Sequence, residues 1–141
     1  MVTRADKYTQ IQKKEEFFSD FLNNFDPHPI TNSLARVTNE QSVTQSLKNL
    51  IYTNFGDRVF EPRVGSNVLA SLFEPNDVVT GERISNGIKS IFLNYEPRAG
   101  LLNVVINPSE DNNSLEISVL YYLLNNPTNT LQFDFILKRV R

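Results

Sequence analysis

The residues with the most chemical content are Glu96-Pro97-Arg98. They set a carboxylate and a guanidinium two positions apart around a proline. Proline fixes φ and lacks a backbone donor, so a helix arriving from the N-terminal side cannot run through it easily. The planar fork of arginine binds carboxylates through two parallel hydrogen bonds. The triplet follows a strongly periodic helical stretch and precedes a strand-like run, which makes it a charged pair on a rigid corner. That is the chemistry of docking. Two roles are open to Arg98: an internal ion pair with Glu96 that pins the helix end, or an anchor for another molecule.

Catalytic chemistry has no comparable footing. Glycoside hydrolysis needs two carboxylates across a cleft, one of them with a raised pKa. The sixteen acidic residues fall mostly in polar, turn-like or helix-surface contexts, and no pair stands out. The single histidine, His28, lies between Pro27 and Pro29 with no second histidine near it, so it reads as neither base nor metal ligand. There is no cysteine, which excludes disulfides, thiolate metal sites and a thiol nucleophile. The five glycines are scattered singly and form no phosphate cradle. No catalytic, cofactor-binding or metal site is expected. A net charge of −2 gives no basic field for nucleic acid, and no apolar run is long enough for a transmembrane helix. Met1 to Glu16 lack the apolar core of a signal peptide.

The elements that must hold the corner follow from periodicity. Residues 1–16 read as a polar arm, and 17–33 as irregular and mostly extended because Pro27 and Pro29 forbid a regular helix. Phe17, Phe18, Phe21 and Phe25 are expected to be buried, in this domain or in a neighbour. Residues 34–37 look like a short strand. Thr38 to Gln41 fit a capping box. The helix that follows puts Val43, Leu47, Leu50 and Ile51 on one face, with Gly56 placed for a left-handed C-cap. A shorter helix is expected from near Ser66, carrying Val68, Leu69, Leu72 and Phe73 and ending at Glu74-Pro75. The clearest helix starts near Asn76 or Asp77 and carries Ile84, Ile88, Ile91, Phe92 and Tyr95. Three strands follow. The first spans 101–107. Leu115, Ile117, Val119, Tyr121 and Leu123 alternate through the second, and Leu131, Phe133, Phe135 and Leu137 through the third. The connections fall at 108–113 and 125–129.

These elements give an α+β fold: an extended N-terminal arm (1–33), then one domain (34–141) with a short strand, three helices and a C-terminal three-stranded antiparallel meander. The second strand also carries Leu120, Tyr122 and Leu124 on its other face, where a half-solvated sheet would be polar. Either the strand at 34–37 and the arm cover that face, or a partner does; the intramolecular cover is the expectation. Tyr121 and Tyr122 are expected to pack in the core with their hydroxyls at its margin.

Four segments together resemble a known family. They are Asn39-Glu40-Gln41-Ser42-Val43 through Leu47-Lys48-Asn49-Leu50-Ile51, Thr53-Asn54-Phe55-Gly56-Asp57-Arg58, Leu72-Phe73-Glu74, and Tyr95-Glu96-Pro97-Arg98. Their order and spacing are similar to those of the contractile-tail baseplate wedge proteins of T4-like phages, sheath initiators with relatives in type VI secretion. The resemblance covers roughly 17–141. Two departures stand out. Ala99 replaces the larger aliphatic residue usual after the arginine, and a second triplet, Glu61-Pro62-Arg63, reads as a chance recurrence. The resemblance implies a structural subunit of a virion tail baseplate, assembled in the host cytoplasm as part of a multi-copy assembly. Its implied partners are the core bundle of other wedge proteins, bound through Glu96, Pro97 and Arg98, and the tail sheath protein, whose first ring it templates by strand pairing. The C-terminal strand, 132–140, is the expected pairing edge. Two other functions remain as alternatives: an adaptor that binds peptides by β-augmentation, and a cell-wall glycoside hydrolase.

Overall fold

The computed structural model describes residues 15–75, 77–109 and 114–138. The expectations for residues 1–14, for most of the connection at 108–113 and for the end of the C-terminal strand lie outside the described residues. Strand β1 (Ser19–Phe21) pairs antiparallel with β2 (Arg36–Thr38), and helix α1 (Asn39–Tyr52) follows directly. A single 3₁₀ turn, Ala70–Phe73, precedes helix α2 (Val78–Tyr95). Strands β3 (Ala99–Ser109), β4 (Ser114–Leu123) and β5 (Asn126–Lys138) form an antiparallel sheet in the order β3-β4-β5.

Both helices pack on one face of this sheet. Val43, Leu47, Leu50 and Ile51 of α1 meet Ile84, Ile88, Ile91 and Phe92 of α2 and the alternating Leu115, Ile117, Val119, Tyr121 and Leu123 of β4. The period of 3.6 in the helices and of 2 in the strands therefore buries the expected residues. Tyr121 is 1% exposed. Its ring lies 6.0 Å from that of Phe92 and 5.8 Å from that of Phe133, and its hydroxyl is 2.7 Å from Thr44 Oγ1.

Several sequence expectations are corrected. The helix expected from Ser66 is only the 3₁₀ turn, and Phe73 is exposed. Its span is closed between Gly65 and Pro75, too short to repay helix nucleation. Among the described residues there are thus two α-helices where three helices were expected. The capping box is absent: Thr38 makes no side-chain cap bond. Asn39 instead takes a positive φ of 49°, accepts hydrogen bonds from the Phe17 and Phe18 amides and donates to Glu15 O. It ties the incoming chain to the helix start. Gly56 is not the C-cap. Thr53 is, and Gly56, at φ 92°, is the third residue of the next turn, closed by Asp57 N to Asn54 O at 3.2 Å. The β4–β5 connection is a two-residue turn at Leu124 and Asn125, so the expected loop at 125–129 is mostly strand.

The described part of the arm is also more ordered than expected. Beyond β1 the chain doubles back, with an isolated bridge from Pro27 to Leu34, and the hairpin lies on α1. Gln45 Nε2 donates to Phe21 O at 2.7 Å, and Asn23 and Asn49 exchange two carboxamide bonds. Of the four phenylalanines only Phe18 packs against the core; Phe17, Phe21 and Phe25 are exposed. Among the described residues this hairpin sits on α1 and not on the outer face of the sheet, where Val105 and Ile136 are exposed. Tyr122 is half-buried over Gly100, where a Cβ would overlap its ring.

Gly65 carries one prediction. It holds φ 137°, and a Cβ there would meet the carbonyl oxygens of Thr53 and Asn54, which belong to the backbone and cannot swing away. Gly65→Ala is expected to lower stability by more than about 1 kcal/mol. A urea midpoint equal to that of the wild type would show that the loop tolerates another path.

Candidate functional site

The corner at the end of α2 is built by local chemistry first. Asp77 caps the other end of the helix, accepting from Thr80 N at 2.8 Å, and that bond holds its carboxyl below the usual range. At the C-terminal end Glu96 leaves helical geometry. Ala99 N donates to Glu96 O at 3.2 Å, closing a four-residue turn. Pro97 occupies its second position, where a fixed φ suits the turn.

Tertiary contacts then lock the charged pair. Glu96 is 1% exposed. Its carboxylate accepts from Arg98 Nε at 2.5 Å and from Arg98 Nη2 at 2.6 Å, a fork-to-fork bond. The Arg98 side chain is 33% exposed, and its guanidinium stacks 5.4 Å from the ring centroid of Phe18. The hydrogen bond with Glu96 holds the guanidinium pKa above its ordinary value. Leu124 N donates to Arg98 O at 3.0 Å, which fixes the turn to the β4–β5 hairpin. The internal role left open for Arg98 is therefore realised, and Pro97 is the exposed tip of the corner. Phe18 comes from eighty residues away. Its place in an aromatic run was a signal, but nothing in the run indicated that it would lie beneath Arg98.

The second triplet adopts the same local form. Val64 N donates to Glu61 O at 3.0 Å, so Pro62 again sits second in a closed turn. Its surroundings differ: Glu61, Pro62 and Arg63 are all exposed, and no ion pair joins the two charges. The turns are linked, since Tyr95, the last residue of α2, donates its hydroxyl to Arg63 O at 2.6 Å.

Nothing at this corner is arranged for proton transfer. Glu96 is the buried carboxylate among the described residues, and both of its oxygens are held by Arg98. Two open clefts flank α2 and β3. One, of about 540 Å³, is lined by residues such as Phe92, Leu93, Leu101 and Val104. The other, of about 440 Å³, includes Asp77 and Glu82. Asp77 is committed to the helix cap and held below the usual carboxylate range, the reverse of what a general acid needs. His28 Nδ1 accepts from the amides of Ile30 and Thr31 at 3.3 Å, a turn contact. Among the described residues no group of His, Cys, Asp or Glu could hold a metal ion.

Comparison with known proteins agrees with a structural role. Residues 37–128 match the family model described as Baseplate wedge protein gp25. The baseplate wedge protein gp25 of enterobacteria phage T4 is 31% identical over 94 residues, which span 67% of this chain and 71% of the phage protein. Among solved structures, a Geobacter sulfurreducens protein described as a tail lysozyme superposes with a TM-score of 0.64 at 23% identity, covering 72% of this chain and 92% of that one. A chain of the anti-feeding prophage baseplate superposes with a TM-score of 0.62 at 20% identity, covering 88% and 87%. Those two likenesses concern the fold. The family model matches well over half of the chain and the T4 relative aligns over two thirds or more of each protein, so this protein belongs to the gp25 family of contractile-tail baseplate wedge proteins.

Proposed function

We propose that the protein is a non-catalytic wedge subunit of a virion tail baseplate, anchored to the helical core bundle of the wedge by Glu96, Pro97 and Arg98, and that it templates the first sheath ring by strand pairing. The observation that carries the anchor is the rigidity of the corner: a buried fork between Glu96 and Arg98 holds the exposed Pro97 in one place. A pre-organised tip loses little entropy on docking. For strand pairing, β5 offers the more regular free edge. Residues 130–138 pair without interruption to 122–114 of β4. β5 has its own register shift and Pro127 near its start, before that regular stretch; in β3 the irregularity at Leu102 and Pro108 leave only the shorter stretch 103–107 between them. Main-chain hydrogen bonds along an open edge give directional affinity for an added strand.

Truncating the chain from Phe135 would strip Phe135 and Leu137 from the core, so surface substitutions make the better test. Pro97→Asp is expected to keep the circular dichroism spectrum and melting point while abolishing co-purification with the other wedge subunits. Ile136→Lys, on the exposed face of β5, is expected to enter baseplates but leave them without sheath. Normal incorporation of Pro97→Asp would dismiss the anchor, and full-length sheaths on Ile136→Lys baseplates would dismiss β5 as the pairing edge.

A further inference from the structure

Residues 17–38 are folded mostly on themselves. Beyond the pairing of β1 with β2, Leu22 N donates to Ala35 O at 3.0 Å, Ala35 N to Asp26 O at 3.1 Å and His28 N to Ser33 O at 2.7 Å. The hairpin thus carries its own ladder of backbone bonds. Its hold on the rest of the molecule is thinner. Of its phenylalanines only Phe18 packs against the core, and Phe21, Phe25, Ile30 and Leu34 stay exposed. Its side-chain bonds to α1 are polar. Gln45 reaches Phe21 O, Asn23 and Asn49 exchange carboxamide bonds, and Asn39 accepts from the amides of Phe17 and Phe18. The bonds of Gln45 and Asn49 are open to water, which competes for them, so each adds little.

Backbone strain gathers in the same segment. Among the described residues, the three other than glycine with positive φ are Phe25 at 53°, Asn32 at 54° and Asn39 at 49°. Asparagine tolerates that region, whereas a phenylalanine is strained in it. Two of the three lie within the hairpin, and the third is the joint where it meets α1. A segment with its own ladder, one ring in the core and strained backbone at its joint opens before the body of the fold does. What it touches gives that opening a consequence. Phe18 is the ring against the Arg98 guanidinium, 5.4 Å from its centroid. The Arg98 pKa, raised first by the hydrogen bond with Glu96, is raised further by the charge of Asp20. We infer that residues 17–38 are a latch: the hairpin leaves α1 as one unit while both helices and the three-stranded sheet stay folded, and its release unstacks Arg98 and uncovers α1 at Gln45 and Asn49. The latch is independent of what docks at Pro97.

The test is native-state hydrogen exchange of the full chain in urea below the unfolding transition. The hydrogen-bonded amides of Leu22, His28 and Ala35 are expected to exchange through one shared opening. That opening should be at least about a hundredfold more populated than the one that frees the amides of α2 and β4. Phe18→Ala is expected to populate it about tenfold more, measured against the α2 amides of the same variant. Arg98→Lys, which loses the flat stack on Phe18, is expected to shift it in the same direction. Phe25→Gly relieves the backbone at an exposed side chain and is expected to slow hairpin exchange. Equal protection in the hairpin and α2, or three unrelated openings, would overturn the unit. Exchange at the rate of an unfolded chain would show that no latch forms. Hairpin exchange unmoved by Phe18→Ala or Arg98→Lys would overturn its link to the corner, and faster exchange in Phe25→Gly would overturn the part given to strain.

Discussion

Arg98→Ala is expected to destabilise the fold by about 3–5 kcal/mol, the range for leaving a buried charge without its partner. The asymmetry of the pair sets this size. Glu96 is 1% exposed and has both oxygens on the guanidinium, whereas the Arg98 side chain is 33% exposed. Removing the arginine strands the deeper charge, and removing the carboxylate strands a group that water can reach. Partial exposure of the arginine side will admit some solvent to the vacated position, which favours the lower end of the range. Adding Glu96→Gln to Arg98→Ala should therefore recover stability, because a neutral amide tolerates the site better than an unpaired carboxylate. Arg98→Lys should fall between, since one ammonium cannot reproduce the fork or the stack on Phe18. Urea unfolding of the four proteins reads the effect directly. An Arg98→Ala midpoint within error of wild type would show that the ion pair contributes nothing. The same strut means that loss of a complex in Arg98→Ala alone would not prove contact, so Pro97 is the cleaner probe of the anchor.

Tyr121→Ala is expected to cost about 3–5 kcal/mol, the usual range for deleting a buried aromatic ring. Tyr121 lies where α1, α2 and the sheet meet, between the rings of Phe92 and Phe133. Tyr121→Phe should cost only about 0.5–1.5 kcal/mol, because Thr44 Oγ1 keeps its own acceptor, Glu40 O, at 2.6 Å. The phenol also has a pH signature. Burial raises its pKa above the ordinary 10.0, outweighing the opposing bond to Thr44. With the folded pKa above the unfolded one, the unfolded state gives up the proton first as pH rises. The contribution is complete below about pH 10 and is lost as pH climbs through the raised folded value. Melting temperatures measured from pH 8 upward should fall more steeply for wild type than for Tyr121→Phe. Parallel curves would mean that the phenol ionises alike in both states.

Residues 39–58, 72–74 and 95–98 carry the family likeness in sequence alone, because four short segments keep their order and spacing. Within and beside these segments a local pattern can still be overridden by its surroundings. Thr38 and Gln41 have the letters of a capping box, yet Asn39 spends its carboxamide on Phe17, Phe18 and Glu15 and redirects the helix start. The run Val68, Leu69, Leu72, Phe73 has helical spacing, but glycine on one side and proline on the other leave room for a single 3₁₀ turn. Both misreadings concern segments whose shape depends on what lies against them.

By itself the sequence determined α1 and α2, the alternating faces of β4 and β5, and the turn at Glu96-Pro97-Arg98. Each rests on interactions within a few residues: the apolar stripe of a helix, the pleat of a strand, the fixed φ of a proline. Only the tertiary structure decided that Glu96 is buried and Arg98 stacked on Phe18, that the hairpin from the arm lies on α1, and that the second triplet sits against the end of α2 with Phe60 in water. Those outcomes depend on where segments tens of residues apart come to rest. That is set by the sum of many weak long-range contacts, and no short stretch of sequence records it.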